Sequence, residues 1–379
     1  MSPGFGDYLL IGGVAAAVTF AATPIVRAIA IARDWVYEPN ERSVHTKPIP
    51  HIGGLAMLVG FLAAVLMLAG VAGLAAGSAG LKFASLWQAL FSPENTDAML
   101  KAIIWKIRMP RVCMAIVAGA TLSLGGLVFQ ALLRNPLAEP YILGVSGGAA
   151  IGAILGILLG LTRFPGITLT AFAGSAGTLL AVLAIAGGRS LVDRDSLLLS
   201  GVMINAFCSA VIMFLVSLTQ DSRLHSIMFW LMGDLSLAGM QEAGILAGMV
   251  LPCFFVTFLF SNRMNLLLLG GETAQTMGVN IRLVVIALLV STSFMVSVTV
   301  SYCGLFGFVG LVIPHLLRLA IGPDHRVLVP ACILCGGAFM VVCDILARTL
   351  PDQGEMPVGV ITALIGAPLF IYLLKRSQR

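Results

Sequence analysis

Eleven times along this chain a window of roughly twenty residues passes with no, or almost no, Asp, Glu, Lys or Arg. At 1.5 Å of rise per residue, such a window crosses a hydrocarbon core of about 30 Å. A soluble helix would have to keep a polar face toward water, and these runs have none. They lie at 8–32, 52–77, 112–133, 141–161, 167–187, 196–218, 240–260, 282–301, 305–321, 327–347 and 356–375. Barrel strands would alternate in blocks of about ten residues. These runs are instead continuous and rich in Gly, Ala, Ser and Thr, the residues that let membrane helices approach closely. The charge-free stretch from Leu283 to Leu317 is too long for one helix, so it is divided at Tyr302-Cys303-Gly304-Leu305-Phe306-Gly307. With 59% hydrophobic and 10% charged residues over 379 positions, a water-soluble reading is excluded. The expected fold is an all-α membrane protein.

Placing the tail Lys375–Arg379 in the cytoplasm puts fourteen basic residues on that side and eight on the other, as the positive-inside rule requires. Five of the eight break the bias together: Lys82, Lys101, Lys106, Arg108 and Arg111 fall between Gly77 and Arg111. Such a cluster points to an acidic partner outside the membrane, the competing reading being a solvated loop. The N-terminus has no basic residue ahead of its apolar run, while Arg27 and Arg33 follow it, so it reads as a retained helix and not a secretory signal.

Several chemistries are excluded by what is missing. The seven cysteines all fall in or beside apolar spans and imply no disulfide framework. Cys332-x-x-Cys335 has metal-ligand spacing but no His or carboxylate near it, and the five histidines form no ligand pair. No metal, cofactor or nucleic-acid partner is therefore expected. No Gly-Lys pair occurs, so there is no phosphate-cradling loop, and any ATP hydrolysis must come from another polypeptide. Proton- or sodium-driven carriers place acids deep in their helices. Here Asp344 is the one candidate, and Arg348 one turn on makes it an ion pair.

From about Trp105 to the C-terminus the sequence resembles the iron-chelate, haem and cobalamin permease family of ABC importers, the family of the vitamin B12 permease. The matching strings are RMPR at Arg108–Arg111, RNPLAEPYILGVSGGAA at Arg134–Ala150, GDLS at Gly233–Ser236, GFVGLVIPHLLRLAIGPDHRVLVP at Gly307–Pro330, DILARTL at Asp344–Leu350 and MPVGVITALIGAPLF at Met356–Phe370. With 52–77 as its first helix, the resemblance implies a ten-helix type II importer permease over 52–379, preceded by one extra helix and a basic loop in 1–51. It further implies residence in a bacterial or archaeal cytoplasmic membrane. Its implied partners are a second permease copy, two ATP-binding subunits and an extracytoplasmic substrate-binding protein.

The resemblance also assigns roles. Arg108, Arg111 and Arg348 become docking residues for the binding protein, in keeping with the charge anomaly, because guanidinium groups pair bidentately with carboxylates. Asn135 and Leu137, in a turn forced by Pro136, become part of a cytoplasmic gate, together with Arg194 and Asp195 where the cobalamin permease carries small hydroxyl residues. Glu272, Thr273, Ala274, Thr276, Met277 and Gly278 become a coupling helix offered to an ATPase groove. The stretch Asp34–Gly60 is instead similar to a loop of polyprenyl-phosphate sugar-1-phosphate transferases, which makes a related membrane enzyme the alternative function. Those enzymes use paired aspartates to hold Mg²⁺, and this chain has no Asp-Asp pair.

Overall fold

The computed structural model describes residues 23–24, 36–37, 49–50, 55–76, 89, 97–186, 194–219, 221–351 and 354–377. Its contacts divide the chain into two units, Met1–Val71 and Ala72–Arg379. In the first, Val36–Tyr37 (β1) pairs antiparallel with Ile49–Pro50 (β2), and helix α1, Leu55–Ala75, begins. The expected span at 8–32 lies outside the described residues apart from Thr23 and Pro24.

The second unit contains the last turn of α1 and the helices α2 (Ala98–Leu133), α3 (Val145–Leu158), α4 (Thr168–Ala186), α5 (Arg194–Ser217) and α6 (Asp221–Leu231). These are followed by α7 (Met240–Leu268), α8 (Gly271–Thr276), α9 (Ile281–Cys303), α10 (Val309–Ile321), α11 (His325–Thr349) and α12 (Val358–Ser377). Among the described residues, ten of the eleven expected spans are present as helices. The division near 302–307 is real: α9 ends at Cys303, Gly304 turns with φ of 79°, and α10 starts at Val309 behind Phe308 at φ of 67°.

Two expectations need correction. The span expected at 112–133 does not begin at 112: α2 runs back to Ala98, with Asp97 accepting from the Met99 N–H as its cap and a π-helical stretch at Ile103–Arg108 just before Pro110. Counting charge starts the span too late, because Arg108 and Arg111 find their partners inside the protein. The wider π turn also accommodates a proline that has no N–H to give. The second correction is α6, an amphipathic helix absent from the sequence reading because its eleven residues are too few to register as a span.

The core is organised around α2, whose most apolar window is 83% buried. It packs on α7, α9, α10 and α11. Backbone meets backbone at two glycine contacts, Gly119 with Gly336 of α11 and Gly126 with Gly310 of α10, where a β-carbon would strike the opposing carbonyl. In lipid, where helix association gains little from the hydrophobic effect, such close approach supplies the van der Waals contact that holds the bundle.

Candidate functional sites at the two ends of the bundle

At one end, three arginines converge. The last carbonyls of α1 have no partners within their own helix. Arg108 Nη1 donates to the carbonyls of Leu74 at 2.7 Å and Ala75 at 2.9 Å. Arg348 donates to those of Gly73 at 3.0 Å and Ala76 at 3.2 Å. Two guanidinium groups thus close all four carbonyls, and positive charge suits the negative end of a helix. Between them, Asp344 of α11 is wholly buried. Its Oδ1 accepts from Arg111 Nε at 2.5 Å, and its Oδ2 faces Arg348 Nε at 3.0 Å as an ion pair without hydrogen-bond alignment. Arg111 also donates to Glu355, at 2.5 Å, whose side chain is 46% exposed.

The expected docking residues Arg108, Arg111 and Arg348 are therefore together in space but turned inward, with the side chains of Arg111 and Arg348 only 4% and 7% exposed. Orphaned helix carbonyls and a buried carboxylate draw them in. Lys101 and Lys106 face outward at this end, beside exposed Met99, Trp105 and Ile107. The string GDLS lies at the same end, because Gly359 at the start of α12 packs on the carbonyl of Met232. There Asp234 accepts from the Ser236 N–H at 2.7 Å and from Arg163 at 2.9 Å, and its own N–H donates to Cys303 at 2.9 Å. Burial raises the affinity of Asp234 for a proton, but the Ser236 and Arg163 donors outweigh it and hold the carboxyl below its usual range.

At the other end, α2 closes on Arg134, left-handed at φ of 47°, whose guanidinium donates to the Leu267 carbonyl of α7. Asn135 makes a side-chain turn, accepting from the Leu137 N–H at 2.9 Å, and this leaves Leu137 46% exposed at the tip. Arg194 and Asp195 begin α5, their side chains lying outside the described residues. α5 then crosses Ile142 so closely at Gly201 that no β-carbon fits. The Asn135–Leu137 turn and the start of α5 are thus brought to one end of the bundle.

α8 also lies here, bounded by Gly270 at φ of 123° and Gly278 at φ of 79°, conformations that suit glycine. Glu272, Thr273, Thr276, Met277 and Gly278 are exposed, Met277 by 58%. Ala274 is not offered outward as the sequence reading expects. It is fully buried, and its carbonyl accepts from the Val279 N–H at 3.0 Å, so it seats the helix on the bundle. Gly271, the first residue of α8, and Ile281, the first of α9, line an apolar cavity of about 60 Å³ with Leu133, Leu197 and Leu267.

Glu139 and Tyr141 stand within the string Arg134–Ala150 and have no role assigned by the resemblance. In the fold they join that string to the α9–α10 junction: Glu139 Oε1 accepts from the Phe308 N–H at 3.0 Å, ahead of α10. The Tyr141 hydroxyl donates to the Phe306 carbonyl and accepts from its N–H, both at 3.1 Å. Pro140 packs on Gly310, whose carbonyl accepts from Gln130 of α2 at 3.1 Å. Burial raises the Glu139 carboxyl, and the Phe308 N–H only partly offsets it. The signal available was a Glu and a Tyr flanking a Pro in an otherwise apolar turn, since buried polar groups require partners.

The model of the FecCD transport family matches residues 65–376. The chain is 37% identical over 330 residues to the hemin transport system permease protein HmuU of Yersinia pestis, covering 85% of this chain and 96% of the relative. It is 40% identical over 285 residues to the vitamin B12 import system permease protein BtuC of Klebsiella pneumoniae subsp. pneumoniae, covering 75% and 86%. A solved structure described as an inward-facing conformation of a metal-chelate type ABC transporter superposes with a TM-score of 0.74 at 32% identity, over 84% of this chain and 99% of that one.

Proposed function

The chain belongs to the FecCD transport family, and from that premise we propose that it is the membrane permease of an ABC importer for a metal chelate, haem or cobalamin. The polyprenyl-phosphate transferase reading falls away, because the family match takes in 65–376 and leaves that resemblance confined to the N-terminal loop. The permease carries no nucleotide chemistry of its own and is moved by separate ATP-binding subunits, working as a pair of identical copies in a bacterial or archaeal cytoplasmic membrane. Of the two parts of the chain, 52–379 is the permease and 1–51 is an appended segment.

The observation that supports this reading is the contrast between the two ends. At the Arg134 end, α8 offers exposed Thr273, Thr276 and Met277 while buried Ala274 anchors it over a cavity shared with α2, α5, α7 and α9. A rigid push on α8 is thereby transmitted to several helices at once. The Asn135–Leu137 turn and Arg194–Asp195 at the start of α5 form the gate that this motion opens. At the Arg111 end, Lys101 and Lys106 supply the exposed charge that meets an acidic binding protein. Arg108, Arg111 and Arg348 serve docking by holding the rim of α1, α2 and α11 on which that protein sits.

The test is capture. A photoreactive side chain at Met277 is expected to crosslink the ATP-binding subunit in the assembled complex, and one at Lys106 the binding protein. Reversal of those two partners, or crosslinking of neither, would remove the assignment of the ends.

A further inference from the structure

Helix α6 presents side chains that the import reading leaves unused. α6 buries Ile227 and Trp230 on one face and exposes His225, Met228 and Met232 on the other. Met232 continues the helix, its N–H donating to the Met228 carbonyl at 3.0 Å. Residues i, i+3 and i+7 fall on one helical stripe, with Met228 and Met232 about 4.5 and about 10.5 Å along the axis from His225. The His225 ring rests against Phe229 at 4.4 Å between centroids, which limits its rotation. We propose that this stripe is an axial-ligand site for the iron of a haem, placed at the Arg111 end where cargo arrives; the inference rests on the import reading above and deepens it.

The chemistry selects the class of cargo. Imidazole nitrogen and thioether sulfur are both axial ligands of haem iron, and the thioether is soft and polarizable. Among the described residues no group of three His, Cys, Asp or Glu side chains could hold an ion, so a bare metal has no cage here. A lone histidine with two methionines suits a metal whose equatorial positions are already filled by a macrocycle and which needs one more donor. A hexadentate siderophore leaves no position open and gains nothing from these side chains. One helix reaches only one face of a porphyrin, so ligation is single-sided and weak. That suits a hand-over point from which cargo must leave again, with Met228 and Met232 as successive alternatives to His225. The 37% identity to a hemin transport permease over nearly its full length agrees with this choice of cargo.

The experiment uses the full chain in lipid nanodiscs, titrated with hemin and followed by its visible absorption and its magnetic circular dichroism. Wild type is expected to convert hemin to a form with a nitrogen or sulfur axial ligand. His225→Ala is expected to lose the nitrogen signature and weaken binding at least about tenfold, and Met228→Leu with Met232→Leu to weaken it while sparing the imidazole signature. Should His225→Ala fail to fold, His225→Gln makes the same comparison. Dicyanohemin, with both axial positions occupied, is expected to show no ligand exchange. An unchanged spectrum and affinity in the His225 variant, or equal binding of dicyanohemin, would overturn the site. ATP-driven hemin uptake by the assembled complex separates the two levels: uptake without any ligand signature in the permease defeats this inference alone. Failure to take up any metal chelate defeats the import reading beneath it.

Discussion

Asp344 is the residue whose removal tests the architecture of the Arg111 end most sharply. It is wholly buried, and its two oxygens face Arg111 at 2.5 Å and Arg348 at 3.0 Å, on side chains themselves 4% and 7% exposed. Asp344→Ala leaves both guanidinium groups in place without their shared counter-ion. Arg111 keeps only half-exposed Glu355, and Arg348 keeps the carbonyls of Gly73 and Ala76. Removing one partner from a buried pair costs about 3–5 kcal/mol, because the remaining charge stays desolvated. The outer pair offers an internal control: Glu355 is 46% exposed, so Glu355→Gln is worth about 0–1 kcal/mol. Denaturant unfolding in bicelles, read by tryptophan fluorescence, compares the two variants directly. The reasoning is refuted if Asp344→Ala lies within about 1 kcal/mol of wild type, or if Glu355→Gln loses as much.

Other outcomes follow from the same structure. Glu139→Gln can keep its bond to the Phe308 N–H through the amide oxygen, yet it removes a carboxyl whose proton affinity burial has raised. A raised carboxyl contributes stability that is complete below the ordinary glutamate range and is lost as pH rises through the folded value. Wild type should therefore lose thermal stability over that interval more steeply than the variant, and identical pH profiles would count against a buried carboxyl at this junction. Gly126→Ala, which drives a methyl into the Gly310 carbonyl, should cost about 1–3 kcal/mol and lower the folded yield in detergent; an undiminished yield would mean the helices separate freely. Lys101→Glu with Lys106→Glu should weaken docking of the binding protein more at low than at high salt, with stability unchanged. Salt-independent loss would point away from charge.

The spans were legible because lipid imposes one rule on every residue of a helix, and ten charge-free runs became helices, eight of them within four residues of their expected limits. The exceptions are instructive. α2 is longer than its charge-free run because Arg108 and Arg111 are satisfied by carbonyls and Asp344, partners more than thirty and two hundred positions away that no local pattern reveals. The same distance explains why the arginines read as outward-facing: their residue type and place at a helix end were visible, their inward partners were not. Ala274 was assigned to the right helix and the wrong face, since a six-residue helix has too few turns to declare its buried side. Glu139 and Tyr141 were passed over because their partners are backbone groups at Phe306 and Phe308, which carry no signature in a sequence.

The most direct test of the central claim is uptake into proteoliposomes, with the chain assembled beside its ATP-binding subunit and the binding protein loaded with hemin supplied on the opposite face. The account predicts accumulation that requires ATP and the ATP-binding subunit, with no nucleotide turnover by this chain alone. Accumulation driven by a proton or sodium gradient in the absence of that subunit, or ATP hydrolysis by the isolated chain, would contradict it.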